Sequence, residues 1–354
     1  MEKFVFYKKE SRIQDLLLFP QCSKFELDDG DSNYAEYIDE AIINQYKKME
    51  EDLKTFYPKV QNYYFKAYSL ELFIRRQYPF FGHETVHTYF DELKQLDENQ
   101  ILEAIFMGLI FNDAVEEKER YDVIELKSNS MLFMQLMDEI EASDEEKWKI
   151  QKLIRSPKES LLSWIELVEQ IEPIFNHYYD DVAERVAVYG EDLVNRFNET
   201  DHDTISDISN GMITKDLLVS KRILISFINC CEVRLSVKDK SPYIIWGIES
   251  EAFLKKIKEA EKEEQVNRIL AYKNLGDKTR YEVLKCISNG MQSTKDIAHQ
   301  LNVSSATISY HLNNLMTSKL IRLAYEDGKY FNKVNQEWIE TCFEELKKDL
   351  KMNG

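Results

Sequence analysis

Turn-forming residues are scarce in this chain: 354 residues carry only 10 glycines and 6 prolines. That excludes a turn-dense all-β sandwich and any collagen-like or linker-like architecture. No apolar run reaches the ~20 residues of a membrane helix; the longest, Ile101 to Phe111, is short and interrupted by Glu103. The opening residues Met1 to Glu10 hold too brief an apolar stretch for a signal peptide. The five cysteines (Cys22, Cys230, Cys231, Cys286 and Cys342) form no CxC or CxxC pair, which excludes a disulfide framework and the familiar zinc spacings. No membrane partner and a cytoplasmic, reducing location are therefore expected.

Positive charge is also in deficit, with 46 Lys and Arg against 64 Asp and Glu, a net charge of −18. Phosphate contacts need cations, so this balance at first argues against nucleic acid. The distribution reverses that inference. Between Val266 and Asn335 ten basic residues stand against five acids, a local charge of +5 that leaves −23 on the remainder. The acidic remainder would repel DNA and confine contact to one face.

What is present is a helix-rich composition, 44% hydrophobic and 12% aromatic, consistent with real cores. The reading is a mainly α protein: a helical N-terminal module with a small β element over residues 1–250, then a C-terminal winged helix-turn-helix domain over 251–354. A short strand at 3–8 precedes a helix from Ser11 to Phe19. The Asp28 to Asn33 stretch caps a helical pattern up to Pro58. Further helices are predicted near 84–95, 98–116, 130–141, 143–154 and 158–199, the last broken near Pro173 or Gly190. Arg222 to Val237 and Tyr243 to Ile248 read as an antiparallel unit. Glu249 to Arg268 reads as a charged connecting helix.

The tightest signals begin at Leu275. Asp277 can cap a helix over Lys278 to Ser288, which Gly290 ends. Ser293 or Thr294 starts a second helix to Leu301. After Asn302-Val303-Ser304 a third helix runs from Ser305 to about Lys319. Two short helices joined by a three- to four-residue turn are the helix-turn-helix layout, whose second helix enters the major groove. Ile308, Leu312 and Leu315 fall on the inward face. Ala306, Thr307, Tyr310, Asn313 and Asn314 form a polar, almost uncharged outer face suited to base edges and thymine methyls. Ile321 to Val334 reads as a β-hairpin with an Asp327-Gly328 turn, a wing whose Arg322, Lys329 and Lys333 could meet phosphates.

The run Leu275-Gly276-Asp277-Lys278-Thr279-Arg280 through Leu284, with Ser309-Tyr310-His311-Leu312, resembles the ArsR family of bacterial winged-helix repressors over about the last quarter of the chain. The resemblance implies a homodimer paired through flanking helices, near Glu251 to Tyr272 and Gln336 to Lys351, bound to double-stranded DNA as a repressor. The residues expected at the DNA are Ser304, Ser305, Thr307, Ser309, Tyr310, His311, Asn314, Arg322 and Lys329; members often carry Gln where this chain has Ser305 and Arg or Lys where it has Tyr310, so base preference does not carry over. The helix Lys295 to Leu301 lacks the cysteines of the metal-sensing members, so no metal or other cofactor is expected. The N-terminal module is left to sense a small-molecule effector or extend the dimer. No enzyme activity is required.

Two further patterns stand outside this segment. His83-Glu84-Thr85-Val86-His87 fits the HExxH arrangement of a zinc peptidase, with Glu103, Glu116 and Glu117 as third-ligand candidates, and gives the competing function. Cys230 and Cys231, adjacent in an apparent strand, should point to opposite faces. They read as a redox or thiophilic-metal sensor or, more simply, as buried strand residues.

Overall fold

A computed structural model describes residues 3–24, 37–66, 68–110, 122–140, 142–199, 203–209, 213–218, 220–236, 239–260, 264–326 and 329–351. In order the elements are β1 (Val5–Phe6), α1 (Lys8–Leu18), α2 (Glu40–Leu53), α3 (Tyr57–Val60), α4 (Leu70–Gln77), α5 (Val86–Leu93), α6 (Glu98–Ile110), α7 (Val123–Ser128), α8 (Ser130–Glu139), α9 (Asp144–Arg155), α10 (Pro157–Phe197) and α11 (Thr204–Ile208). Then follow β2 (Arg222–Ser226), β3 (Val233–Ser236), β4 (Tyr243–Gly247), α12 (Ser250–Ala260), α13 (Glu264–Gly276), α14 (Lys278–Ser288), α15 (Thr294–Leu301), α16 (Ser305–Thr317), β5 (Ile321–Glu326), β6 (Lys329–Val334) and α17 (Gln336–Asp349). The protein is mainly α with a few small strands. No helix among the described residues is long and apolar enough to cross a membrane.

The chain divides into two compact units, one of residues 1–204 with 218–253, the other of 205–217 with 254–354. Segment 205–217 thus belongs with the C-terminal part, although it lies well upstream of it in sequence. The expected connector helix over 249–268 is two helices, α12 and α13, with 261–263 outside the described residues.

The first unit is built on a four-stranded sheet in the order β1-β2-β4-β3. The predicted antiparallel unit is only partly correct. β3 and β4 pair antiparallel, but β2 lies parallel to both β1 and β4. The reason is legible in the burial: Ile223, Leu224, Ile225 and Ser226 of β2 and all of β4 are buried, leaving no solvent face to force alternation. Helices α1 and α10 pack on β2. Polar side chains of α1 fix that docking. Ser11 Oγ accepts from the Ile225 N–H at 2.9 Å, and Asp15 accepts from Ser226 Oγ and from the Phe227 N–H, the latter at 2.9 Å. Burial raises the Asp15 carboxyl to about 7, against the hydrogen bonds that favour its charge.

Helix α10 is not broken. It runs 41 residues with Pro173 inside it. The lost hydrogen bond is outweighed by the burial of Ile171 and Phe175 on either side of the proline. Gly190 serves close packing rather than a break: a Cβ there would collide with the Phe6 ring of β1. The aromatic stretch from Phe56 to Phe73 contributes core, with Tyr64, Tyr68 and Phe73 buried. The capping stretch proposed at 28–33 lies outside the described residues.

Cys230 and Cys231 are not strand residues, since β2 ends at Ser226 and the two fall in the following turn. The alternation expected of a strand therefore does not apply. Their sulfurs face each other at 3.7 Å.

Candidate nucleic-acid interface

The second unit places α14, α15 and α16 around one small core. Ile308, Leu312 and Leu315 of α16 meet Ile297 and Ala298 of α15, and Val283, Leu284 and Ile287 of α14. Each helix starts where its capping residue dictates. Asp277 accepts from the Arg280 N–H at 2.8 Å, Ser293 from the Asp296 N–H at 3.0 Å, and Ser304 from the Thr307 N–H at 3.0 Å. Such caps contribute about 1 kcal/mol each. Between α15 and α16 the chain reverses at Asn302, whose φ of 54° is left-handed, a conformation asparagine tolerates better than most residues. Gly290, at φ +87°, follows α14.

The outer face of α16 differs from the sequence expectation in detail. Ser304, Ala306, Ser309 and Asn313 are exposed, while Ser305, Thr307, Tyr310 and Asn314 are half-buried. His311 is 8% exposed and faces inward. Burial, and then the charge of Arg280, holds its imidazole below the ordinary histidine pKa. A neutral, enclosed ring is a core residue here, which removes it from the expected DNA-facing set. The Asn314 amide donates to the Tyr310 carbonyl at 2.9 Å, so its N–H is used within the helix. Ser309 and Asn313, one turn apart, are both exposed. Asn313 was visible on the outer face in the sequence but was not singled out, because residue type alone does not separate it from Asn314.

Arg280 is the largest surprise. Its guanidinium donates to Asn274 Oδ1 at 2.7 Å and to the Tyr310 hydroxyl at 3.0 Å, and lies 5.5 Å from the Tyr310 ring centroid. A residue counted from sequence as positive charge for DNA is instead an internal clamp across α13, α14 and α16. Arg268 is likewise occupied by Glu345 and Asp349.

β5 and β6 form an antiparallel hairpin in the register Ile321↔Val334 to Glu326↔Lys329. Arg322 is exposed on it. Lys329 pairs through its backbone, but its side chain and the Asp327-Gly328 turn lie outside the described residues. Flanking the core, α13 packs on α17, with the Tyr272 hydroxyl donating to the Cys342 carbonyl at 2.5 Å.

The HExxH residues in the first unit are not brought together. Thr85 caps α5, which begins only at Val86, so His83 and Glu84 precede the helix and the two histidines do not share one helical face. His83 Nε2 meets Glu92 at 3.1 Å, His87 Nε2 meets Glu172 at 3.4 Å, and Glu84 pairs with Lys9. Among the described residues no group of three or more His, Cys, Asp or Glu side chains is arranged to hold a metal ion. Glu116 and Glu117 lie outside the described residues.

Residues 278–320 match the family model described as bacterial regulatory proteins, luxR family. The match spans α14 to α16 and ends at Leu320, ahead of the hairpin. No curated protein and no solved structure matches the chain. The chain carries a C-terminal helix-turn-helix DNA-binding domain, with DNA as its partner, and is a DNA-binding transcriptional regulator.

Proposed function

We propose that the protein is a dimeric, sequence-specific repressor that reads the major groove with α16 and touches the backbone or minor groove with the β5–β6 hairpin, in the manner of the ArsR-type winged readers its sequence resembles. The carrying observation is the face of α16: Ser309 and Asn313 lie open on a helix whose other side is locked into a core. A solvated helix face is ordinarily charged, whereas this one offers hydroxyl and amide groups matched to base edges. Ser304 caps α16 by accepting from the Thr307 N–H, and the N-terminus of such a helix favours a phosphate.

Dimerisation is supported by apolar side chains left open on and beside the two flanking helices: Val266 and Ile269 on α13, Phe343 on α17 and Leu350 just after its end. Two copies joined through these helices would carry two recognition helices, as a palindromic operator requires. The ArsR-type reading adds to the matched segment the hairpin that follows it, with Arg322 exposed on its first strand. The first unit is assigned to effector sensing, acting by linkage: an effector that prefers one dimer geometry shifts DNA affinity. The reading involves no catalytic step and places the protein in the cytoplasm.

Selection of genomic fragments by the purified protein, followed by affinity against salt on the recovered site, tests the proposal. A palindrome bound at nanomolar strength is expected. Weak, sequence-indifferent binding that disappears at physiological salt would overturn it.

A further inference from the structure

The turn after β2 holds two thiols in an arrangement that core packing does not require. Cys230 Sγ lies 3.7 Å from Cys231 Sγ and 3.4 Å from the Tyr46 hydroxyl of α2. Cys230 is buried, and Cys231 is half-buried toward solvent. Beside Cys230 is a cavity of about 20 Å³, walled by Tyr46, Met49, Phe227, Arg185 and Glu249. That is room for one molecule little larger than water.

We propose that Cys230 and Cys231 form a vicinal dithiol that small hydroperoxides oxidise reversibly to a disulfide, with Cys230 the attacking sulfur and Cys231 the resolving one. The roles follow from the surroundings. The hydrogen bond with Cys231 is the first reason Cys230 sits below the ordinary thiol pKa; burial opposes this, the Tyr46 hydroxyl adds to the lowering, and Glu249 and Glu232 work against it. The same hydrogen bond, and then burial, pushes the Cys231 thiol up, and it keeps its proton until the second step. Thiolate is the nucleophilic form, and only Cys230 borders the cavity.

In the first step the Cys230 thiolate attacks a peroxide oxygen. The S–O bond forms, the O–O bond breaks, and the departing hydroxide takes up a proton as water. In the second, Cys231 loses its proton and its sulfur attacks the Cys230 sulfenic acid. The S–S bond forms, the S–O bond breaks, and a second water leaves. The dithiol gives up two protons and two electrons, and hydrogen peroxide becomes two waters. Adjacent Cα atoms lie ~3.8 Å apart, below the ~4.4 Å lower bound usual for disulfides, so the ring is strained and readily reduced. Reversibility follows from that strain.

The turn is also stitched to the start of α12. The Glu249 N–H donates to the Cys230 carbonyl at 2.7 Å, and Ser250 Oγ and the Gly247 N–H both donate to the Glu232 carbonyl, at 2.9 and 2.8 Å. A Cβ on Gly247 would run into the Cys230 carbonyl, so the turn has no slack beneath it. Closing the ring turns the peptide between the two cysteines and disturbs the carbonyl that holds Glu249.

The test uses the full-length protein, stoichiometric hydrogen peroxide and mass spectrometry of the tryptic segment 223–234. Expected are the loss of two hydrogen masses in that segment, reversal by dithiothreitol, and faster hydrogen exchange at the amides of 249–253 in the oxidised form. In the Cys231→Ser variant, Cys230 should instead gain one oxygen and be captured by a sulfenic-acid reagent. Cysteines 230 and 231 staying reduced while other thiols oxidise would overturn the proposal. So would a disulfide to Cys22 or between chains, or equal capture at Cys231 in Cys230→Ser. None of these readouts involves DNA, so the result is independent of the operator-binding proposal.

Discussion

The Arg280 guanidinium donates to the Tyr310 hydroxyl at 3.0 Å, joining the first residues of α14 to the middle of α16. Tyr310 is thereby a structural residue as well as a proposed DNA contact, so its replacement would not separate the two roles. Ser309 and Asn313 are free of that ambiguity. Asn313→Ala is expected to cost about 1–3 kcal/mol on the specific site and to relax preference at the base it reads. Its melting temperature should stay at the wild-type value, because the residue is exposed. Tyr310→Phe should lose about 1 kcal/mol of stability through the missing hydrogen bond. Equal loss of stability in both variants, seen by calorimetry, would contradict the division of roles.

Arg322 lies exposed on β5. Arg322→Ala is expected to weaken binding to every sequence alike and to reduce the salt slope of log K by about one. Titrations on specific and scrambled duplexes over a range of salt check this. A loss confined to the specific duplex would instead make Arg322 a base reader.

Ile269, 57% exposed, and Phe343, 47% exposed, are the most telling of the open apolar residues on α13 and α17. Ile269→Glu or Phe343→Glu should convert the dimer to monomer in light scattering and weaken operator binding. Unfolding of the monomeric unit should change by no more than ~0.5 kcal/mol. A wild-type protein that is itself monomeric at micromolar concentration would remove the dimer from the proposal.

Asp15, buried under Ser226 and Phe227, titrates at about 7 in the folded state against an ordinary 3.8. Because the folded carboxyl holds its proton more tightly, the folded state loses ground as pH rises from about 4, and the loss levels off above 7. The shift corresponds to roughly 4 kcal/mol. Asp15→Asn keeps an acceptor for the Phe227 N–H and has no charge to bury. Chemical denaturation at pH 4.5 and 7.5 should therefore show wild type losing stability relative to the variant. Parallel stabilities at both pH values would refute the buried-carboxyl assignment.

The helix-turn-helix was legible in the sequence because its determinants are local. Asp277, Ser293, Ser304 and Gly290 mark helix ends within a few residues of the bonds they make, and the apolar spacing of Ile308, Leu312 and Leu315 fixes the buried face. What escaped reading depends on distant partners. The parallel pairing of β2 rests on β1, more than two hundred residues upstream. The enclosure of His311 and the diversion of Arg280 depend on neighbours in other helices. Pro173 suggested a break because its local cost is visible in sequence and the core around Phe175 is not. The HExxH spacing presumed a helix that in fact starts three residues later than His83.

Segment 205–217 keeps company with residues 254–354, where Tyr330 of β6 donates to the Leu217 carbonyl. The helix-turn-helix unit is thus not one uninterrupted stretch of sequence. A recombination event or an expression plasmid that begins at residue 254 carries the matched helices but leaves behind the short piece that covers the hairpin. Shuffling this protein's DNA specificity onto another sensor would have to transplant two separated stretches of coding sequence.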